Sequence, residues 1–598
     1  MIIPQRKHIE FYEQQIKAHE DYWRQYADTA MSILIKDKKL FIGRIWGIQE
    51  KQGNVVLRFN EGEVPRMKQP YFLGLVGSEA PKNPLSWRFS YEDFRVSEKP
   101  RFWNGVSAEI FTLTYWKTED KKSFILVSGF DLDVLTIIKE KYLEQKIHPL
   151  VVVAEKDPPV DYLVKLKEFL VKSKKNKILN LNLTVTEQSW QPQDLDNSSN
   201  LSKKIIDLID SQHETILQGP PGTGKSFMAA EICNHYLKKG FSVCVTALTN
   251  KALIEIASKQ GLKEPINEGR VFKSNLSSDE SKQLPGLNRV DSFILKQGDL
   301  LLSTYYKLAQ KQAKLIDYSY RFDLVIIEEA SQAYLATLAM FRSIASKILV
   351  IGDHKQLTPV VLNLEESRNI FPLIDAVING LKTYAFNNES KSYRLTKTRR
   401  LTFAASQLTG LYYNKKLESI SDLESKTGFS SEFNKLFHPE GGISIAKLST
   451  ARTGFAENQL IAFIAKVGFE ILKNNPEFEV AILCPYVDSE SRIYHHYNKI
   501  TNDFSRITIN TVHKIQGLTT DLTIVYLPID NAAFELNENL FNVATSRAKR
   551  GTLVVTYRHI SLTSSASKET IQFINNCQDI TEVFNDLLMK RIYSQQKK

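Results

Sequence analysis

Hydrophobic and polar positions follow three rhythms along the chain. Between residues 5 and 28, Ile9, Tyr12, Ile16, Trp23 and Tyr26 recur near helical spacing with Glu, Lys and Arg between them, which predicts an amphipathic helix. From 31 to 130 the rhythm shortens. LFIGRIWGIQEKQGNVVLRF holds two strand-like runs around a Gln-Gly-Asn turn, and YFLGLVG, EIFTLTYW and SFILVSGF continue in kind. Short strands separated by turn residues predict a small β-barrel or sandwich. DYLVKLKEFLVKSKKNK returns to helical spacing, with Leu163, Leu166, Phe169 and Leu170 on one side. The two helical segments are expected to pair as a stalk carrying the β unit, so that residues 1–183 form one accessory domain. Residues 184–202, rich in Asn, Ser, Gln and Pro, are expected to be a linker.

The third rhythm begins near residue 203. ETILQG, SVCVTAL, DLLLST, FDLVII and KILVIG are nearly continuous apolar runs separated by helical or polar stretches. After 376 the cycle repeats with GISIAKL, EVAILCPY, RITINTVH, LTIVYLP and TLVVTY. Strands without a polar face belong in parallel sheets covered on both sides. The expected class is α/β, with two successive units, 203–375 and 376–598, and a cleft between them. The 598-residue length agrees, since about 150 residues per domain implies about three to five domains.

Composition narrows the picture a little. The four cysteines, Cys233, Cys244, Cys484 and Cys577, lie far apart, so neither a zinc site nor a disulfide framework is expected. His495 and His496 are neighbours, which on a helix point different ways, and read as a solvated surface pair. No apolar run approaches the ~18 residues of a membrane span. The N-terminus lacks the apolar core and small-residue cleavage site of a signal peptide, so the expectation is a cytoplasmic protein without a membrane partner. A net charge of +11 suits a polyanionic partner.

Two stretches carry chemistry on their own. Gly219, Pro220, Pro221, Gly222, Thr223, Gly224, Lys225 and Ser226 satisfy G-x-x-x-x-G-K-[ST], with a strand before and a helix after. The glycines let backbone amides turn toward phosphate oxygens, and the helix N-terminus adds positive potential. Lys225 should reach the outer phosphates, and Ser226 should offer a hydroxyl to Mg²⁺. The strand in DLVIIEEASQAY delivers Glu328 and Glu329 to its C-terminal end, where open α/β sheets bind ligands. Glu328 is placed to hold the metal, directly or through water. Glu329 is placed to orient or deprotonate the attacking water.

With VIGDHKQLTPVV and LFNVATSRAKRGTLVV added to GPPGTGKS and EEASQA, the chain resembles superfamily 1 helicases, and among them the nonsense-mediated-decay helicase and its relatives. The resemblance covers roughly residues 200–558. It implies two RecA-like phosphate-loop domains behind a β-barrel on a helical stalk, with ATP and Mg²⁺ as cofactors. It further implies that Gln356 senses the γ-phosphate, and that Arg400 and Arg547 are arginine fingers supplied by the second domain. Thr511, His513, Gln516 and Gly517 match a motif that touches nucleotide and nucleic acid, and Thr249, Asn250 and Thr304 match strand-binding motifs. The chain departs from the family at four places. Glu328 stands for aspartate, Arg399 for a base-stacking tyrosine, and Thr519 for a glutamate near the ribose. The adenine-reading glutamine is missing around Ser202–Lys203. Arg399 remains able to stack on a base through its guanidinium plane.

The expectation is an ATP-dependent helicase or translocase on single-stranded RNA or DNA, moving 5′-to-3′ as the resemblance implies. Two rival readings stand beside it. One is a nucleic-acid-binding protein that uses nucleotide as a switch without translocating. The other is an NTPase that remodels protein partners, and the β unit is a candidate partner surface. The basic run Lys172–Lys177 reads first as a solvated face, with phosphate contact the alternative.

Overall fold

The helix Gln5–Ala27 and the helix Val160–Lys172 lie against each other, and the second packs on the helices Tyr305–Asp317 and Leu335–Arg342 that cover one face of a large parallel sheet. Phe11, Tyr12, Leu163, Leu166, Phe169 and Leu170 all point into this seam, as their helical spacing predicts. Phe11 and Tyr12 pack edge-on against Tyr334, with ring centroids 5.9 and 5.6 Å away. Each such ring, fully buried, contributes about 1.5–3 kcal/mol. Gln15, also buried, exchanges two hydrogen bonds of 2.9 Å with the Leu362 backbone. The molecule is a computed structural model that describes residues 2–596 apart from 61–62, 68, 97–102, 118–121, 145–147, 174–175, 181–191, 198, 388–390, 422–430, 450–453, 516 and 558–565.

Between these helices sits a closed antiparallel barrel. Its strands are β1 (Leu40–Gln49), β2 (Asn54–Phe59), β3 (Pro70–Val76), β4 (Trp103–Lys117), β5 (Ser123–Ser128) and β6 (Leu150–Ala154), in the order β1-β2-β5-β4-β3-β6. Closure leaves no open edge. The expected β unit ended at 130. It is β6, paired with both β1 and β3, that closes the ring. The barrel touches both lobes of the rest of the chain. Ser278 donates to the Gly53 carbonyl at 2.8 Å on one side, and Gln69 donates to Glu490 at 3.2 Å on the other.

The first α/β unit is a nine-stranded parallel sheet. Its strands are β7 (Gln193–Leu195), β8 (Glu214–Gln218), β9 (Val243–Ala247), β10 (Val271–Lys273), β11 (Asn288–Arg289), β12 (Leu300–Thr304), β13 (Phe322–Ile327), β14 (Ala345–Gly352) and β15 (Ser392–Leu395). The order is β11-β10-β12-β9-β13-β14-β8-β15-β7. β9, β12 and the apolar residues of β13 are buried because helices cover both faces. The two strands at one end of this sheet come from unexpected places. β7 lies in the stretch expected to be a linker, of which 184–191 and 198 lie outside the described residues. β15 lies beyond residue 375, so the first sheet continues past the expected boundary before the chain crosses over.

A short ladder, β16 (Lys397–Thr398) with β17 (Glu418–Ser419), follows. The second sheet is six-stranded and parallel: β18 (Ile443–Leu448), β19 (Val480–Cys484), β20 (Ile507–Thr511), β21 (Thr520–Tyr526), β22 (Ala548–Tyr557) and β23 (Gln578–Asp579), in the order β20-β19-β21-β22-β18-β23. The α/β class with parallel sheets and an N-terminal barrel is therefore as the sequence predicts. Among the described residues, no helix is long and apolar enough to cross a membrane. His495 is exposed and His496 half-buried. Lys174 and Lys175 of the basic run lie outside the described residues.

Candidate nucleotide site

β8 runs into the loop Gly219–Gly224, and the helix Lys225–Lys238 starts directly after it. Gly222 and Gly224 have φ of 76° and 87°, the left-handed region that glycine enters without strain. At Gly222 a Cβ would lie 2.3 Å from the Arg400 Cβ, so a larger residue is excluded by space as well. The loop is stitched from outside. The Thr398 hydroxyl donates to the Pro221 carbonyl at 2.8 Å, and the Arg399 amide donates to the Gly222 carbonyl at 2.9 Å. The buried Asn197 amide donates to the Thr223 and Lys397 carbonyls at 3.1 and 2.9 Å. Sequence reasoning singled out neither Asn197 nor Thr398. The only signal was their nearness in sequence to the loop's strand and to Arg400.

Charge is concentrated at the C-terminal ends of β8, β13 and β14. Lys225 donates to the Gly219 and Pro220 carbonyls at 2.5 and 3.2 Å. Burial lowers its pKa, while Asp353 and Glu328 hold it up and Arg400 and Arg547 press it down. Ser226 donates to Glu328 Oε1 at 3.4 Å. Burial pushes the Glu328 carboxyl up against the pull of Lys225. It pushes Glu329 up as well, with Glu328 and Glu255 adding repulsion. Glu329 has φ 53°, an uncommon conformation for a non-glycine residue, and its Oε2 is buried without a partner. Such outliers are characteristic of sites where geometry serves a ligand.

Arg547 is only 1% exposed. Its Nε donates to the Val543 carbonyl at 2.8 Å, but its Nη2 is buried without a partner. Burial, with neighbouring Arg400 acting in the same direction, lowers its pKa to about 9. Arg400 is lowered to about 10 by burial. Lys225, Arg400 and Arg547 thus form a cluster of three cations, Arg547 buried and the other two half-buried, in which the like charges oppose one another. An anion is what such a cluster fits. Arg547, between β21 and β22, belongs to the second lobe as expected. Arg400 sits at the crossover: Thr398 and Arg399 bind the phosphate loop, Leu401 packs into the core of the second lobe, and Arg400 Nη1 donates to the Ser546 carbonyl of that lobe at 3.5 Å.

The two lobes are linked beside this cluster. Asp353 accepts from Tyr413 at 2.7 Å and from Gln356 at 3.1 Å. Asn542 donates to Tyr413 Oη at 2.9 Å and to the Lys355 carbonyl at 2.7 Å, and Asn539 donates to the Gln356 carbonyl at 2.7 Å. Asn539 and Asn542 lie on the helix Glu538–Thr545, just ahead of Arg547. Lys355 pairs with Glu538 on the same helix. Gln356 therefore sits between the phosphate end of β14 and the helix that leads to Arg547.

The expected nucleic-acid residues are spread along the sheet edges. Thr249 and Thr304 each cap a helix, accepting from Ala252 at 3.2 Å and from Lys307 at 3.4 Å. Asn250 accepts from buried Lys273 at 2.9 Å. Thr511 ends β20 and His513 follows it, half-buried. Gln516 lies outside the described residues. A Cβ on Gly517 would lie 3.7 Å from Glu329 Oε1, which brings the second lobe up to the paired acids. Gly517 and Thr519 line a cleft of about 470 Å³ with Lys251 and Glu255 of the first lobe. Arg399 places its guanidinium 3.6 Å from a Cβ built on Gly224.

The residues present fit a triphosphate and a divalent cation. The donors are the positive-φ glycine loop, the helix N-terminus and three cations. Among the described residues, no group of three or more His, Cys, Asp or Glu side chains could hold a metal alone. Ser226 and Glu328 offer two oxygens, which suits a cation that takes its other ligands from phosphate and water.

Fold and site together define a two-lobed phosphate-loop protein. Residues 203–362 match the family described as "AAA domain". The chain is 23% identical over 411 residues to "DNA replication ATP-dependent helicase/nuclease JHS1" of Arabidopsis thaliana, covering 61% of this chain and 28% of that one. It is 24% identical over 388 residues to the dna2 protein of the same description in Schizosaccharomyces pombe, covering 57% and 26%. The chain thus spans roughly a quarter of the length of these two curated relatives. Among solved structures it aligns with an arterivirus nonstructural protein 10 described as a helicase, at 11% identity and TM-score 0.32, over 75% of this chain and 70% of that one.

Proposed function

We propose that the chain is a superfamily 1 helicase or translocase that hydrolyses ATP in the cleft and moves along single-stranded nucleic acid. The observation that carries the reading is the trio Lys225, Arg400 and buried Arg547, with an unpartnered nitrogen on Arg547 and Glu329 within its electrostatic reach. Lys225 and the loop amides bind the phosphates. Ser226 and Glu328 hold Mg²⁺, which supplies positive charge at the phosphate oxygens. Glu329 accepts the proton of the attacking water, and Arg400 and Arg547 stabilise charge on the transferring group. Gln356 and Asp353 pass the change to the helix Glu538–Thr545 and so to the second lobe.

The helicase names of the curated relatives support the nucleic-acid half of the reading, as does a net charge of +11. The barrel set between two paired helices ahead of the phosphate loop supports the nonsense-mediated-decay-like branch and its 5′-to-3′ direction. Arg399 at Gly224, with no adenine-reading glutamine near Ser202, supports loose base selectivity.

The test is Lys225→Ala, assayed for nucleotide hydrolysis with and without single-stranded RNA or DNA. Hydrolysis should vanish while oligonucleotide binding stays largely intact. Unchanged hydrolysis would remove this phosphate site. Hydrolysis by the native chain that no oligonucleotide stimulates would leave only a nucleotide switch or a protein remodeller.

A further inference from the structure

The second sheet has an edge that the nucleotide chemistry does not use. Three loops leave the C-terminal ends of its neighbouring strands β19, β20 and β21, and each delivers one ring: Tyr486, His513 and Phe534. Phe534 is in the middle. Its ring is parallel to His513, 7° apart with centroids 5.8 Å away, and lies 5.7 Å from Tyr486 at 32°. Phe534 is 36% exposed and belongs to none of the apolar cores, so its ring is not held out merely by packing.

The loop that presents it is strained and over-determined. Ile529 has φ 57°, an outlier for a β-branched residue. Buried Glu535 holds the turn, accepting from the Ile529, Asp530 and Asn531 amides at 2.8, 2.6 and 3.2 Å and from the Tyr486 hydroxyl at 2.9 Å. Asn531 Oδ1 accepts from the Phe534 amide at 3.2 Å. One carboxylate therefore fixes both the strained turn and the neighbouring ring. Strain kept in place by such a network, around an exposed aromatic at the carboxyl edge of a parallel sheet, marks a ligand surface. The ring faces out beside Thr511 and His513, the residues expected to meet the strand.

We infer that Phe534, flanked by His513 and Tyr486, is a stacking platform for bases of single-stranded nucleic acid. This rests on the strand-binding reading above and deepens it. Every base has a flat face, so the platform grips RNA and DNA without reading sequence. The backbone is left to the hydroxyl and amide groups nearby.

The test measures the affinity of the full chain for three labelled oligomers of equal length: oligodeoxythymidine, oligouridine, and an abasic deoxyribose-phosphate oligomer. Phe534→Ala should weaken the two base-bearing oligomers about 10-fold. It should leave the abasic oligomer unaffected, and Phe534→Trp should restore binding. Equal loss on all three oligomers would overturn the platform, because it would report folding or backbone contact. No loss on any would overturn it too, while leaving strand binding and the motor in place. If the native chain bound no oligomer, the strand reading and the platform would fall together.

Discussion

The two sheets meet the cleft with opposite edges. The first presents the carboxyl ends of β8, β13 and β14, with the phosphate loop, Glu328, Glu329 and Asp353 upon them. The second presents the residues just before β19, β20 and β21, among them Glu479, Arg506 and Thr519. A carboxyl edge offers backbone amides and a helix N-terminus, so the first lobe has what is needed to bind phosphate. An amino edge offers none of these. In the proposed reading the second lobe reaches the phosphates with side chains, Arg547 foremost, and otherwise supplies the wall that excludes water. Binding and catalysis are thereby divided between the lobes.

Removing Arg547 tests that division most severely. Arg547→Ala should lower hydrolysis about 10³-fold, the scale of arginine-finger losses in other NTPases. Nucleotide affinity should change far less, as read by a fluorescent nucleotide titration beside phosphate release. The variant should melt no lower than the parent, because Ala removes a buried cation whose Nη2 lacks a partner. Normal turnover would show that the second lobe takes no part.

The sequence was informative in proportion to how local each feature was. The strands β8, β9, β12, β13 and β14, and β18 to β22, stood out because nearly unbroken apolar runs need no partner to be recognised; the short β10 and β11 did not. The phosphate loop and paired acids stood out because their spacing is itself the chemistry. β6, β7 and β15 did not, since each is defined only by pairing with a strand far away in sequence. Tyr413, Asn542 and Asn197 act by touching loops from other parts of the chain, and no local pattern announces them.

The lobes differ also in support. Among the described residues the stalk helices pack against the first lobe, and His8 is buried in that brace at 1% exposure with both ring nitrogens lacking partners. Burial lowers its pKa to about 4. The unfolded chain therefore binds a proton more readily than the fold does between about pH 6.5 and about pH 4. The stability from the neutral ring is complete above that window and is lost as pH falls through it, by about 2 kcal/mol at about pH 5. Melting curves of the parent and His8→Leu, followed from about pH 7.5 down to about pH 5, should diverge by about 2 °C, with the parent more acid-sensitive. Parallel curves would mean that His8 finds a partner on protonation.

The third effect concerns communication between the lobes. Tyr413 donates to Asp353 on the first and accepts from Asn542 on the second, so its hydroxyl is the shared atom of the link. Tyr413→Phe keeps the ring and its packing but deletes that atom. Asp353 retains Gln356 and the Lys355 amide as donors, and Asn542 retains the Lys355 carbonyl, so neither group is stranded. The expected loss is that of one buried hydrogen bond to a charged group, about 1.5–3 kcal/mol. It should appear in the acceleration of hydrolysis by oligonucleotide more than in nucleotide affinity, because the phosphate loop itself is untouched. A fall in nucleotide affinity with the acceleration preserved would place Tyr413 in the binding half of the division and make the helix Glu538–Thr545 a passive wall.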